Sequence, residues 1–225
     1  LAATARSSAR ALVGALAILM CAAALVLSRT RASWLALAVW GALVLPLAWR
    51  HREVLVAAAP PGRWRVLGLA LVAGIVAAVA VPNTLDWKSD SPYLDSVRGV
   101  VNYQEGSGAG RLKQYTNSLR MTRAHPVLGV GPGNWAAEYP AFAPRTDPSI
   151  VEATGMTANP WPSSDWVAAI SERGVPAFMA LVVLVLALLW NGWRGWSDTV
   201  HSSRERIGAL AGASVVLVGA LQGLF

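Results

Sequence analysis

Residues 174–193 read Gly174-Val-Pro-Ala-Phe-Met-Ala-Leu-Val-Val-Leu-Val-Leu-Ala-Leu-Leu-Trp-Asn-Gly-Trp193, an apolar run without a charged side chain. About 20 such residues in a helix cross the roughly 30 Å hydrocarbon core of a bilayer. Four further segments have a similar length and carry no charge in their middle: 9–28, 32–49, 64–82 and 207–225. The sequence therefore predicts an all-α polytopic membrane protein with about five transmembrane helices.

Composition supports this class. Of the 225 residues, 55% are hydrophobic and 14% are charged, whereas a soluble domain has about a quarter of its residues charged. A soluble bundle of fully buried helices is the disfavoured alternative. Cys21, the single cysteine, cannot form an internal disulfide, and no metal-ligand spacing occurs. Cysteine spacing therefore gives no sign of a metal site.

The net charge of +7 would suggest nucleic acid as a partner in a soluble protein. Its distribution argues against this, because Asp86 to Gly174 contains eight Lys/Arg against nine Asp/Glu. The excess lies in short segments beside the apolar runs, where basic residues mark the cytoplasmic side. Nine of these basic residues fall on the side of Arg6 and Arg10, and two fall on the other side. We therefore expect the connections 50–65 and 194–206 in the cytoplasm.

This orientation divides the chain into three parts. Residues 1–82 hold three transmembrane helices, 83–173 form one large extracytoplasmic loop, and 174–225 hold two more helices, of which the last is truncated. We expect a fragment of a longer chain, with further helices before Leu1. Frequent prolines divide the loop into short helices and turns, and its glycine-rich segment 105–110 is predicted to be a flexible link.

The basic run 111–125 opens the candidate site and is predicted to be a helix. Its apolar residues share one narrow face, which would pack downward onto the membrane: Leu112, Tyr115 and Leu119. Arg111 and Arg123 lie at the edges of that face, whereas Lys113 and Arg120 point away. A guanidinium at such an edge is suited to pair two phosphate oxygens of a lipid-linked substrate. The alternative is a solvated or headgroup-contacting arginine.

The segment Gly129-Val-Gly-Pro-Gly133 invites comparison with phosphate-binding loops. No strand pattern precedes it, no Lys-Ser/Thr follows, and Pro132 lacks an N–H donor. The pattern favours a tight turn in which glycines supply unusual backbone angles. Asn134 and Trp135 remain candidates to face a substrate, since tryptophan beside polar groups commonly stacks on sugar rings.

Residues 163–173 are predicted to form a short helix that ends at Gly174. Asp165 and Glu172 are seven positions apart, hence on one face and about 10 Å apart along the axis, so that both would line one cavity. A structural explanation for Asp165 is that an acidic residue is favoured at the positive N-terminal end of a helix. Glu172, near the other end of the helix, has no such explanation. His125, the one histidine of the loop, is either a general base or a structural residue at a helix end.

Six motifs precede the apolar run in a fixed order: Gly110-Arg111, His125-Pro126, 129–135, Tyr139-Pro140, Asp165-Trp166 and Glu172-Arg173-Gly174. Together they resemble the O-antigen ligase/polymerase superfamily. The resemblance implies a multi-pass protein of the bacterial inner membrane with a large periplasmic loop. It implies transfer of a glycan from an undecaprenyl-pyrophosphate carrier to an acceptor hydroxyl, in lipopolysaccharide biosynthesis or a related pathway. No metal and no other cofactor is expected for this reaction. The implied partners are the lipid-linked glycan donor, a glycan or lipid acceptor and membrane lipids.

By position, Arg111 matches the arginine of this superfamily that engages the donor pyrophosphate, and Glu172 matches its acidic residue before glycine. The superfamily's histidine, two residues before the aspartate, is Ser163 here. Either His125, Asp165 or Glu172 takes over its role, or the mechanism differs, or the chain does not catalyse ligation. The alternative functions are polymerisation of lipid-linked repeat units and a non-catalytic role in an exopolysaccharide system.

The predicted site comprises ten residues. Four are assigned catalytic roles: Arg111, His125, Asp165 and Glu172. Six are assigned to substrate binding: Arg120, Arg123, Gly131, Asn134, Trp135 and Ser163.

Overall fold

The computed structural model describes residues 2–28, 30–58, 61–80 and 107–224. Within these residues the α-helices are α1 (Ala2–Leu27), α2 (Arg31–Arg50), α3 (Arg52–Ala58), α4 (Pro61–Ala80), α5 (Ser107–Ala124), α6 (Trp135–Glu138), α7 (Asp165–Ser197) and α8 (Ser203–Gln222). A 3-10 turn, Tyr139–Ala141, follows α6. The described residues contain no strand, only an isolated bridge between Ile150 and Thr157. The predicted all-α class is confirmed.

Four helical segments are long and apolar enough to span a bilayer: Ala32–Arg50, Gly62–Ala80, Asp165–Ser197 and Ser203–Gln222. A shorter apolar stretch, Ala11–Leu27, lies in α1. Their large apolar side chains are widely exposed, as Leu69 and Leu184 illustrate at 70% and 54%, and such surface is suited to lipid. The chain is thus a polytopic membrane protein. Four of the five predicted segments coincide with these candidate spans, and the fifth, 9–28, contains the shorter apolar stretch. The end of segment 64–82 and the part of the predicted loop before Ser107 lie outside the described residues.

One compact unit comprises Leu1–Val97 and Gly195–Ala211. In it α1 packs against α4, where a Cβ atom at Gly74 would overlap the carbonyl oxygen of Leu19. A small residue at this point permits the close approach of two helices. Trp196 is buried in the same unit, with the guanidinium of Arg206 5.4 Å from its ring centroid.

The other unit comprises Arg98–Arg194 and Gly212–Phe225. Its apolar core consists of Met121, Trp135, Tyr139 and Ile150. On α5 the buried face is mainly polar and includes Gln114, Ser118 and Met121. Of the three apolar residues expected on the packed face, Leu112 and Leu119 are exposed, at 50% and 45%, and Tyr115 is half-buried. The helix therefore uses a different face to pack against the protein than hydrophobic periodicity predicts.

Two expectations about helix ends have different outcomes. The segment 105–110 was predicted to be a flexible link, but α5 already begins at Ser107; Glu105 and Gly106 lie outside the described residues. At the other end, Gly174 has φ 77° and ψ 173° and interrupts α7. Residues 165–173 and 175–197 are therefore two helical segments, so the predicted break at Gly174 is confirmed.

The turn 126–131 packs against this break. Three backbone hydrogen bonds join them: Val130 N–H to Ser171 O at 3.0 Å, Gly131 N–H to Glu172 O at 2.9 Å, and Val175 N–H to Pro126 O at 2.8 Å. They satisfy polar groups that the interrupted helix leaves without partners. Gly129 and Gly131 adopt positive φ of 66° and 95°, which glycine does without strain. The glycine-rich segment is a tight turn, as predicted, and its structural task is to close the break in α7.

Candidate functional site

A cavity of 360 Å³ lies where the first turns of α5, the segment before α7 and the end of α8 meet. Its lining consists of Arg111, Asn159, Trp161, Pro162, Ser163, Asp165, Gln222 and Gly223. We call it the Arg111 cavity. Three of the predicted site residues, Arg111, Ser163 and Asp165, thus line one space although they come from distant parts of the sequence.

The carbonyl oxygen of Gly223 positions the start of α7. It accepts hydrogen bonds from Ser164 Oγ at 2.8 Å and from the N–H groups of Asp165 at 2.8 Å and Trp166 at 3.4 Å. The negative end of α8 therefore meets the positive end of α7, an arrangement that favours both dipoles. Trp166 Nε1 adds a bond to Ala220 O at 2.8 Å. Together these contacts hold Asp165 at the cavity wall.

Helix α5 is joined to the cavity wall at Ser163 through Gln114, which is 2% exposed and does not itself line the cavity. Its Oε1 accepts the backbone N–H of Ser163 at 2.8 Å. The next residue, Tyr115, donates its hydroxyl to Leu224 O at 3.1 Å. Sequence reasoning missed Gln114; its place four residues before Ser118 and seven before Met121, on one helix face, was the available signal.

Arg111 and Asp165 differ in exposure: Arg111 is half-buried and Asp165 is exposed. Within the described part of the chain, the Arg111 side chain forms no hydrogen bond and no ion pair, and it forms none with Asp165. The guanidinium therefore keeps its five donors for an incoming group. One cation and one carboxylate on a shared cavity can bind an oxyanion and accept a proton, respectively.

His125 lies outside this cavity. It follows the last residue of α5, fourteen positions after Arg111, which corresponds to about 21 Å along the helix. The imidazole is exposed and packs edge-on against Phe142, with ring centroids 6.4 Å apart. The structure therefore does not bring His125 together with Arg111 or Asp165.

Glu172 is 7% exposed and also lies outside the Arg111 cavity. Its Oε1 accepts the backbone N–H of Trp135 at 3.4 Å, at the start of α6. Neither of the two cavities described here is lined by both Asp165 and Glu172. Glu172 instead contacts the glycine-rich turn region with both its carboxylate and its backbone carbonyl.

The remaining turn residues make internal contacts. Trp135 is 0% exposed; its ring lies 4.5 Å from that of Tyr139, and Nε1 donates to Ser118 Oγ at 2.9 Å. It has no surface with which to stack on a sugar, and this corrects the expectation from sequence. The N–H of Gly131 is likewise occupied by Glu172 O. Asn134 is exposed, and its amide donates to Val130 O at 3.0 Å.

Arg120 and Arg123 lie farther along α5, and both are exposed. Arg120 lines a second cavity, together with Asn117 and Asp147. The Asp147 carboxylate accepts a hydrogen bond from Tyr139 Oη at 3.1 Å. Burial, together with the nearby Asp147 carboxylate, raises the pKa of Tyr139 to about 12. Among the described residues, no group of His, Cys, Asp and Glu side chains is arranged to hold a metal ion.

Helices that can span a membrane, joined to a polar region with an arginine–aspartate cavity, define a polytopic membrane protein with a candidate oxyanion site. The sequence model of one family, described as O-Antigen ligase (Wzy_C), matches residues 15–182. The chain therefore belongs to the O-antigen ligase family. Searches of curated proteins and of solved structures gave no match.

Proposed function

We propose that the chain transfers a glycan from a polyprenyl-pyrophosphate carrier to an acceptor hydroxyl at the outer face of the bacterial inner membrane. The observation that carries the proposal is the Arg111 cavity, in which a guanidinium without a described protein partner shares a wall with Asp165. The cavity also includes Gln222 and Gly223, at the end of the candidate span Ser203–Gln222. A headgroup bound to Arg111 would thus lie beside the end of a membrane helix.

The proposed reaction is a displacement at the anomeric carbon of the donor sugar. The acceptor oxygen forms a bond to this carbon, the bond from the carbon to the pyrophosphate oxygen breaks, and the carrier pyrophosphate leaves. Arg111 would stabilise the charge that develops on the leaving oxygen, since its planar fork pairs two phosphate oxygens. The acceptor proton would pass to the Asp165 carboxylate.

Ser163 occupies the place of the superfamily's histidine, and three residues are candidates to take over the role of that histidine. Asp165 is the best supported of the three. It shares the cavity with Arg111, whereas His125 and Glu172 do not. The Ser163 hydroxyl lines the same cavity, but a neutral hydroxyl is a weak proton acceptor near neutral pH. We therefore assign Ser163 to substrate contact and Asp165 to proton transfer.

The test uses a strain that lacks its own ligase activity and carries the full-length gene with Arg111→Ala, Arg111→Lys or Asp165→Asn. Glycan on the acceptor and glycan on the lipid carrier are measured, with protein levels determined by immunoblot. We expect Arg111→Ala and Asp165→Asn to abolish transfer at normal protein levels. Arg111→Lys should retain little glycan transfer, because lysine lacks the bidentate fork of arginine. Arg145→Ala, an exposed arginine that does not line the cavity, is the matched control.

The accumulating intermediate separates the remaining functions. Complete glycan chains on the carrier indicate a ligase, whereas single repeat units indicate a polymerase of lipid-linked units. Normal transfer in both Arg111→Ala and Asp165→Asn would refute catalysis at this cavity and favour a non-catalytic role in glycan export.

A further inference from the structure

The second cavity on α5 also has a volume of 360 Å³. Its lining consists of Leu112, Lys113, Thr116, Asn117, Arg120, Pro144, Thr146 and Asp147, and we call it the Arg120 cavity. Its polar lining comprises two cationic side chains, two threonines, a buried amide and the buried Asp147 carboxylate. Neither the geometry of the Arg111 cavity nor the proposed transfer step uses any of these groups.

The Arg111 and Arg120 cavities lie on opposite sides of α5. The two arginines are nine positions apart, which corresponds to about 180° around the helix and about 14 Å along its axis. A pyrophosphate held by Arg111 is therefore out of reach of Arg120. Any group that binds Arg120 belongs to another part of the substrate or to another molecule.

A buried network holds Arg120 in place. Asp147 is 3% exposed and Asn117 is 4% exposed. Asn117 Nδ2 donates to Asp147 Oδ2 at 2.8 Å, so that Asn117 Oδ1 is free to accept Arg120 Nη1 at 3.1 Å. Tyr139 Oη and Ser149 N–H complete the hydrogen bonds of the Asp147 carboxylate, at 3.1 and 2.8 Å.

This network orients the guanidinium and leaves most of it unused. Asp147 binds Arg120 only through the amide of Asn117, and the other donors of Arg120 have no protein partner among the described residues. A fork that is fixed at one nitrogen and open at the others loses little conformational entropy when it binds a planar or tetrahedral oxyanion. Lys113 adds a second positive charge to the same cavity.

We propose that the Arg120 cavity binds an oxyanion carried by a sugar, the carboxylate of a uronic acid or the phosphate of a phosphosugar, in the glycan that is transferred or extended. Thr116 and Thr146 would pair with sugar hydroxyls, while Leu112 and Pro144 offer apolar contact to the ring. The inference that the oxyanion belongs to a glycan rests on the proposed function, whereas the inference that the cavity binds an oxyanion does not. The site would make the protein selective for acidic glycans.

Direct binding tests this proposal without relying on transfer activity. The full chain carrying Arg111→Ala is purified in a neutral detergent, so that the Arg111 cavity does not contribute. It is titrated with sodium glucuronate and, separately, with glucose, and binding is followed by saturation-transfer NMR. The same titrations are repeated with Arg111→Ala proteins that carry a second substitution, which is Arg120→Ala, Arg120→Lys or the control Arg145→Ala. Arg145 lies between two lining residues but does not line the cavity itself.

We expect glucuronate to bind and glucose to bind more weakly. Arg120→Ala should lower the glucuronate affinity about tenfold or more, the value of one charge-assisted hydrogen-bond pair. Arg120→Lys should give an intermediate affinity, and Arg145→Ala should leave it unchanged. Thermal unfolding of each variant confirms that it is folded; if Arg120→Ala is not, the Arg120→Lys and Lys113→Ala variants decide.

Three results would overturn the proposal. The first is equal glucuronate affinity with and without Arg120, and the second is equal affinity for glucose and glucuronate. The third is displacement of glucuronate by phosphatidylglycerol micelles, which would identify a site for lipid headgroups instead. Retained glycan transfer in Arg111→Ala would refute the proposed function alone, because the glucuronate titration does not depend on it.

Discussion

The carbonyl oxygen of Val127 occupies the space that a Cβ atom at Gly174 would need. The same interlock exists in the opposite direction, since a Cβ atom at Gly129 would overlap the backbone of Glu172. Two glycines from separate segments therefore let the turn 126–131 and the break in α7 approach each other directly. This contact joins the polar region to α7, the longest helix among the described residues.

Alanine at either glycine should destabilise the protein. Gly174 occupies a backbone region that is essentially restricted to glycine, which alone costs roughly 1–3 kcal/mol for other residues, and the backbone overlap adds to this. Gly133→Ala is the matched control, because Gly133 has φ 80° but open space around its Cβ position. We expect the melting temperature in detergent to fall more for Gly174→Ala and Gly129→Ala than for Gly133→Ala. Equal losses in all three would show that the close approach is unimportant.

The next prediction concerns Glu172 and separates a structural from a catalytic role. Glu172→Ala leaves the buried N–H of Trp135 without its acceptor, at a cost of about 1–3 kcal/mol, so protein levels and thermal stability should both fall. Glu172→Gln retains a side-chain oxygen for that N–H and should be nearly as stable as the wild type. We expect Glu172→Gln to retain glycan transfer. A stable but inactive Glu172→Gln protein would instead assign Glu172 to the chemistry.

Ser163→Ala should lower glycan transfer only slightly, because it removes one substrate contact and leaves the proton acceptor Asp165 in place. The residue is held through its backbone N–H, which donates to Gln114 Oε1 at 2.8 Å, and alanine keeps this donor. Gln114→Ala removes the acceptor from a buried position and should lower stability by about 1–3 kcal/mol, with loss of transfer. Thermal unfolding and glycan transfer are measured for both variants. A large loss of transfer in a stable Ser163→Ala protein would show that the hydroxyl has inherited the role of the histidine.

The sequence was sufficient to predict the membrane helices, the break at Gly174 and the tight turn, because each depends on local chemistry. Apolar length identifies a span, and glycine identifies a backbone conformation that other residues avoid. The cavity wall formed by Arg111, Ser163 and Asp165 was predicted only as a set of candidates, since nothing local shows that α5 and the start of α7 meet.

Two differences between the sequence-based expectations and the structure have a common cause. The face of α5 that packs against the protein contains Gln114 and Ser118 rather than the leucines, because their partners are a loop N–H and the indole of Trp135. Glu172 was expected to line a cavity, but its partner is an N–H that lies 37 positions earlier. Polar groups with tertiary partners can be buried at low cost, and such partners are not visible in hydrophobic periodicity.

Membrane orientation can be tested with reporter fusions in the described loops. We expect alkaline phosphatase fused after Thr154 to be active and a green fluorescent protein fused after Asp198 to be fluorescent. The reason is the arginine-rich connection 194–206, which favours the cytoplasm. Fusions with the reporters exchanged are the control and should be inactive. The reverse pattern would place Arg111 in the cytoplasm and contradict its proposed contact with a carrier at the outer face.

Alkaline pH should weaken the Tyr139–Asp147 contact. Burial and the Asp147 carboxylate raise the pKa of Tyr139 from 10.0 to about 12, so the folded protein retains the phenol proton at a pH where the unfolded chain has lost it. Stability from this group is therefore fully present below pH 10 and is lost as the pH rises toward 12. A pKa that is raised by about two units on folding corresponds to about 3 kcal/mol of free energy of unfolding.

The measurement is the melting temperature of the wild type and of Tyr139→Phe between pH 8 and about pH 11.5, a window set by this linkage. Tyr139→Phe removes one donor to buried Asp147, so at pH 8 it should be less stable by about 1–3 kcal/mol. It also lacks the titrating group, so its stability should fall less steeply above pH 10, and the two curves should converge. Curves that stay parallel throughout would mean that the phenol proton does not stabilise the fold. The hydrogen bond from Tyr139 to Asp147 would then not explain how Arg120 is held.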